Sequence, residues 1–131
     1  MYYIGIDISK FKHDCAVIDD SGEIVTPSWS FTNDSDGFSQ LKTLVDSLDA
    51  ETRIGLESTG HYGMNLKLFL ESNNFSFMEF NPLLINRFVK SKSLRKTKSD
   101  SIDCMMIAHY ADNSVRHTMS MIIIHVLLLL V

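Results

Sequence analysis

The stretch that decides the fold is YYIGIDISKFKHDCAVIDDSGEIVTPSWSF, residues 2–31. It contains three runs rich in strand-forming residues, YYIGID, DCAVID and EIVTPSWSF, which short polar connections separate. The DDSG sequence at residues 19–22 is a turn signal between the second and third runs. Pro27 indicates an edge strand or a bulge, because proline donates no hydrogen bond to a sheet. The stretch therefore predicts an antiparallel meander of three strands.

Helical and extended patterns alternate after the meander. Apolar residues recur at helical spacing between Phe38 and Leu48, behind the capping residues 33–35. The fourth strand-like run is TRIGLE, residues 52–57, and the fifth covers residues 75–80, with a second helical stripe between them. These patterns predict a helix between the third and fourth strands and another between the fourth and fifth.

Two further segments follow the fifth strand. Residues 83–98 combine a short helix with a basic run, and Ser99 is a candidate cap for a last helix that carries Ile102, Met106, Ile107 and Tyr110. The resulting order, βββαβαβα, is the order of the ribonuclease-H-like fold. We therefore expect an α/β domain with a mixed sheet flanked by helices, in which the first strand is central and the fourth and fifth extend the sheet beside it.

Composition limits the classes of function. The chain has 131 residues, of which 45% are hydrophobic and 21% charged, as expected for one soluble globular domain. Its net charge of −4 excludes a general basic field, so nucleic-acid binding requires a local patch. Cys15 and Cys104 lack metal-ligand spacing and follow no secretory signal, so we expect free thiols and a cytoplasmic location.

Positive charge is concentrated in one segment. Of the twelve Lys and Arg residues, six lie between residues 87 and 98 without an intervening acid: Arg87, Lys90, Lys92, Arg95, Lys96 and Lys98. Such a run is either a solvated loop or a contact for a nucleic-acid backbone.

Two acids end predicted strands. Asp7 ends the first strand and Glu57 ends the fourth, although acidic residues are uncommon in strands. A single acid in this position is usually a turn cap. If the two strands are parallel neighbours, however, both carboxylates emerge at the carboxyl edge, where open α/β sheets bind ligands.

Asp100 and Asp103 are the second pair of acids, and residues three apart on a helix share a face. The simple interpretation is a helix start, where the dipole favours acids. Converging carboxylates repel one another, however, and a cation between them relieves that repulsion. Two Mg²⁺ ions roughly 3.5–4 Å apart among four acids would perform phosphodiester chemistry, with the basic segment holding the nucleic-acid backbone.

Four motifs together resemble the DEDD-type transposases of the insertion-sequence-110 family, namely GIDISK, LESTGHYG, NP and RKTKSDSIDCMMIA. They begin at residues 5, 56, 81 and 95, in the family's order, and the resemblance extends to about Asp112. It implies a Holliday-junction-resolvase-like domain whose acidic tetrad is Asp7, Glu57, Asp100 and Asp103. It also implies bound Mg²⁺ (or Mn²⁺), DNA strand cleavage and transfer, a structured guide-type RNA, and oligomers. The six basic residues become candidates for nucleic-acid contact.

The chain departs from the family after residue 113. We expect a ribonuclease-H-like domain over residues 1–113 and an apolar tail over residues 114–131, without the family's C-terminal serine domain. The chain would then be a truncated or frameshifted transposase; the alternative is an inactive remnant that binds nucleic acid or a full-length transposase. The tail ends in MIIIHVLLLLV, too short to cross a bilayer, and is interpreted as a buried strand, a segment covered by a partner or an unnatural end.

Several residues near the acids have simpler interpretations. His61 and Tyr62 are candidates for the rim of the site or ordinary loop residues. Lys10 and Lys12, just after Asp7, are either phosphate contacts or, more simply, exposed turn lysines. A sugar-kinase or actin-like ATPase also begins with GID and a hairpin. That class needs a glycine-rich phosphate loop after the first Asp, and the sequence ISKFKHD contains no glycine.

Overall fold

The computed structural model describes residues 1–57, 60–92 and 103–130, except for the side chains of residues 117 and 118. Within them the strands are β1 (Tyr2–Ile8), β2 (Lys12–Asp19), β3 (Ile24–Thr32), β4 (Thr52–Glu57) and β5 (Phe77–Phe80). The α-helices are α1 (Ser35–Ser47), α2 (Met64–Ser72), α3 (Pro82–Ser91) and α4 (Cys104–Leu129), and a 3-10 turn covers Gly60–Gly63. Two helices, α3 and α4, therefore follow β5.

The five strands form one mixed sheet in the order β3-β2-β1-β4-β5. Strands β1, β2 and β3 pair antiparallel, as the meander pattern predicts, whereas β4 runs parallel to β1 and β5 runs parallel to β4. Pro27 lies on β3, an edge strand, where its missing N–H group is tolerated. The β2–β3 pairing also shifts register between Cys15 and Ile18.

Helices cover both faces of the sheet. On one face, Ile4 and Ile6 of β1 pack with residues of α1 and α2, such as Leu41 and Leu66. On the other face, Tyr3 packs with residues of α3 and α4. This division follows from the period of two in a strand, which sends alternate side chains to opposite faces. The apolar residues of β1 therefore build two cores.

Helix α4 lies close to the sheet because two paired glycines leave room for it, Gly5 for its backbone and Gly55 for the side chains of Ile107 and Ala111. Gly5 of β1 and Gly55 of β4 are neighbours in the parallel ladder. A β-carbon on Gly5 would overlap the carbonyl oxygen of Cys104 and the backbone nitrogen of Ala108. The start of α4 is therefore held directly over the carboxyl-terminal half of β1.

Helix α4 begins later than the sequence predicts. Asp103 is its N-cap, with an extended backbone (φ −110°, ψ 171°), and its carboxylate accepts a hydrogen bond of 2.9 Å from the Met106 amide. Because Asp103 is not helical, the prediction that Asp100 and Asp103 share a helical face is wrong. Asp100 and Ser99, the predicted cap, lie outside the described residues.

The same helix continues through the boundary at residues 113–114 and includes most of the apolar tail. The interpretation of the tail as a strand is therefore wrong. A search of the part of the chain described above for a helix able to span a membrane found none. Cys15 and Cys104 are free, as predicted, and the structure shows that both are buried.

Candidate active site at the carboxyl edge of the sheet

Asp7 and Glu57 lie at the same edge of the sheet. Ile6 pairs with Leu56 in the parallel β1–β4 ladder, so the next residues along the two strands are these acids. Asp7 lies two residues after Gly5, and Glu57 two residues after Gly55, so both belong to the face that α4 covers. The structure therefore brings together two acids that are fifty residues apart in sequence (57 − 7).

Asp103 contributes a third acid from the N-terminus of α4. The close packing of α4 on Gly5 sets this residue near the end of β1. The pKa of Asp7 is raised from its ordinary 3.8 to about 6, first by burial and then by the negative charges of Glu57, Asp14 and Asp103. Carboxylates from three other elements thus act on the half-buried carboxyl group of Asp7.

Asp14 is a member of this group that the sequence analysis missed. It lies on β2 directly opposite Asp7, and opposed residues in an antiparallel pair point to the same face of the sheet. The Ser30 hydroxyl on β3 donates a hydrogen bond to Asp14 Oδ1, which restrains the carboxylate. The signal was present in the sequence, because the two predicted strands, YYIGID and DCAVID, are separated by residues 8–13, and closing a hairpin around them pairs residue 7 with residue 14.

The carboxylate oxygens of these acids are the type of ligand that a divalent cation binds. Carboxylate oxygens are the ligands that Mg²⁺ prefers, and a cation would relieve the repulsion that, after burial, raises the pKa of Asp7. Among the residues with described side chains, no group of three or more His, Cys, Asp or Glu is placed to hold a metal ion. Asp100, the fourth acid of the predicted tetrad, lies outside that set. The described acids therefore match the chemistry of a metal site without completing its geometry.

The described part of the basic segment is exposed and extends away from the acids. Arg87 and Lys90 lie on α3, which begins beside the acidic edge because Phe80 of β5 pairs with Glu57. Lys92, just beyond α3, lines a surface depression with Ser21, which follows the end of β2. That end of β2 pairs with the start of β1, so Lys92 lies near the edge of the sheet opposite Asp7. Arg95, Lys96 and Lys98 lie outside the described residues.

Comparisons with known proteins identify the family. The family model of the DEDD transposases of the insertion-sequence-110 type, described as "Transposase", matches residues 4–123. The chain is also 32% identical over 111 residues to a pilin gene-inverting protein of Moraxella bovis, and equally so to one of Moraxella lacunata. Each alignment covers 82% of this chain and 33% of the relative, so the chain spans about a third of the length of these relatives.

The family match includes the strands that carry Asp7, Asp14 and Glu57 and the start of α4 with Asp103. It extends past residue 112, where the motif resemblance ends. The resemblance drawn from the motifs is confirmed: the chain belongs to the DEDD transposases of the insertion-sequence-110 family, a family of DNA recombinases.

Proposed function

We propose that this chain is a ribonuclease-H-like domain that cuts or transfers DNA strands with a divalent cation bound by Asp7, Glu57, Asp103 and Asp100. One observation carries the proposal: Asp7 is half-buried near carboxylates from β2, β4 and the cap of α4, and burial together with their negative charges raises its pKa to about 6. Family membership supports divalent metal dependence. The mixed five-stranded sheet with helices on both faces is consistent with the ribonuclease-H-like fold.

The charge arrangement favours a functional role over a structural one. Carboxylates that repel one another destabilise the folded chain unless a cation or a proton binds between them. Asp7 is held by two neighbouring strands, Asp103 by its cap hydrogen bond, and Asp14 by Ser30. These restraints keep the acids together, and among the described residues no group of opposite charge contributes to the pKa of Asp7.

Each acid has a proposed task. Asp7 and Glu57, fixed at adjacent strand ends, are the rigid ligands; Asp103, the cap of α4, and Asp100 are the other two. These acids would hold Mg²⁺ or Mn²⁺, which would supply activation of the attacking oxygen and stabilisation of the leaving oxygen in phosphodiester cleavage. Asp14 adds negative charge beside Asp7 and thereby strengthens the preference of the site for a cation.

The proposal covers DNA strand cleavage and transfer but not a particular type of DNA rearrangement. The two relatives are named for inverting a pilin gene, and inversion is not carried over to this chain. A structured guide-type RNA and assembly into oligomers remain proposals by family resemblance.

The test is metal-dependent nicking of supercoiled plasmid DNA by the purified chain. We expect nicking with Mg²⁺ or Mn²⁺, none in EDTA, and none by the variant Asp7→Asn. The control is Asp36→Asn, which removes an exposed carboxylate in the first turn of α1. Equal nicking by the Asp7 variant and the wild-type chain would exclude these acids as the reacting centre.

A second candidate function is binding without cleavage, to nucleic acid or to a full-length transposase. The exposed end of α4 favours it, because the apolar side chains between Ile122 and Leu130 are 48–79% exposed. An apolar surface of this extent marks an interaction site or an aggregation hazard. Capture of a full-length family member by the wild-type chain, lost in Leu127→Asp, would support this candidate if no nicking is observed.

A further inference from the structure

Two loops meet at the acidic edge of the sheet and are joined by one side chain. Nδ2 of Asn33, just after β3, donates hydrogen bonds to the carbonyl oxygens of Lys10 (3.1 Å) and Tyr62 (3.3 Å). The backbone N–H of Asn33 also donates to the carbonyl oxygen of Phe11 at 2.9 Å. Because one amide nitrogen contacts both carbonyls, the loop after β1 and the turn after β4 lie side by side.

The loop after β1 is restrained from its other side as well. The backbone N–H of Ser9 donates to Nδ1 of His13, which is fully buried. Burial lowers the pKa of His13, so the neutral imidazole that accepts this hydrogen bond is favoured. The loop therefore presents its side chains from a fixed backbone immediately beyond Asp7.

These loops expose aromatic rings and cations together. The Phe11 side chain is 76% exposed, and Nζ of Lys10 lies 5.0 Å from its ring centroid, within cation–π distance. The Tyr62 side chain is 40% exposed, with its ring centroid 4.4 Å from that of His61. Lys12, also exposed, lies two residues before Asp14 on β2 and so belongs to the same face as the acids. We name Lys10, Phe11, His61 and Tyr62 the aromatic rim.

We propose that the aromatic rim binds an unpaired strand of DNA, with bases stacked on Phe11 and Tyr62 and with phosphates near Lys10 and Lys12. Exposed rings beside cations are how proteins hold single strands, since every base offers a π face and every phosphate a negative charge. Duplex DNA hides its base faces within the stack, so the rim fits an unpaired strand. The inference rests on the proposed function in one respect: the DNA chemistry of the neighbouring acids selects DNA over RNA as the occupant.

The experiment measures binding of a fluorescent oligothymidine of about 20 nucleotides to the full chain by anisotropy, in EDTA. Phe11→Leu and Tyr62→Leu keep apolar bulk and lose the ring, and each is expected to weaken binding roughly five- to 100-fold. Phe11→Trp is expected to retain it. The control Leu68→Ala, at an exposed apolar residue of α2, is expected to bind like the wild-type chain.

A strand of the same length without bases separates stacking from charge. The ring variants are expected to match the wild-type chain on this abasic strand, whereas Lys10→Ala weakens binding to both strands and reduces the salt dependence. Circular dichroism and melting curves check that every variant is folded. The proposal is overturned if Phe11→Leu and Tyr62→Leu bind oligothymidine like the wild-type chain. It is also overturned if their affinity falls as much on the abasic strand as on oligothymidine. Tighter, ring-dependent binding of oligouridine would overturn the choice of DNA.

The two proposals fail separately. Binding in EDTA does not use a metal ion, so Asp7→Asn is expected to keep ring-dependent binding while losing metal-dependent nicking. Normal nicking by Asp7→Asn would refute the acidic centre and leave the aromatic rim intact. Loss of nicking by Asp7→Asn, together with normal oligothymidine binding by Phe11→Leu and Tyr62→Leu, would refute only the rim.

Discussion

Replacing Asp7 with Asn is expected to stabilise the metal-free protein at neutral pH. Burial and three nearby carboxylates raise the pKa of Asp7 to about 6 in the folded chain, against an ordinary value of 3.8. The folded state thus binds more protons than the unfolded state between these values. The contribution of Asp7 to the free energy of unfolding therefore falls as the pH rises through this window and is constant above it. Asn keeps the shape of the side chain and removes the charge that causes the loss.

The magnitude follows from the pKa shift. A rise from 3.8 to about 6 corresponds to at most about 3 kcal/mol. Solvent screening of a half-buried group reduces this to roughly 1–2 kcal/mol, or a rise in Tm of several degrees. Such a gain in stability on removal of a charged group is typical of residues retained for function rather than for folding.

The assay is urea unfolding in EDTA at pH values from 4 to 8. The difference in unfolding free energy between Asp7→Asn and the wild-type chain is expected to be small near pH 4, to grow through pH 6, and then to level off. The exposed control Asp36→Asn is expected to lack this rise. A constant difference across the pH range, or a variant less stable than the wild-type chain at pH 7.5, would refute the account of Asp7.

Three further predictions concern the same edge of the sheet. Gly5→Ala is expected to destabilise the chain by more than about 2 kcal/mol, because the added methyl group meets the backbone of α4; thermal melting checks this against Gly60→Ala, where only the positive φ of 70° opposes the change. Asp103→Ala removes the helix cap and is expected to lower the free energy of unfolding by about 1 kcal/mol. Asp103→Asn is expected to keep the cap but to lack the rise in Tm that Mg²⁺ produces in the wild-type chain. An equal rise in Tm in both proteins would limit Asp103 to capping. Reversing Arg95 and Lys96 to Glu is expected to weaken DNA binding and flatten its salt dependence, and unchanged binding would assign the basic run to a solvated loop.

Local pattern was sufficient for much of the fold. The meander, the helices after β3 and β4, and the end of β4 at Glu57 follow from residue periodicity and turn signals within short windows, whereas β1 extends one residue beyond its predicted end at Asp7. Even the edge shared by these two acids follows from pattern once β1 and β4 are parallel neighbours, because parallel strands end on the same side. The family also followed from short motifs, which the family match confirms.

The tertiary structure decided how separate segments meet. Asp14 joins the acids through the register of β1 against β2, and Asp103 joins them because Gly5 lets the start of α4 lie on the sheet. Asp103 is the N-cap of α4, whereas sequence spacing predicted that Asp100 and Asp103 share a helical face. Lys92 lies near the edge of the sheet opposite Asp7. Neither result is visible in local periodicity.

The physical reason is the range of the interactions involved. Hydrophobic periodicity depends on neighbours a few residues away, so the sequence by itself determined the elements and the acids at their ends. Register, helix packing and the electrostatic environment of Asp7 depend on residues up to a hundred positions apart, from Asp7 to Asp103. Only the folded chain brings these groups together, and it therefore decided which carboxylates lie near Asp7.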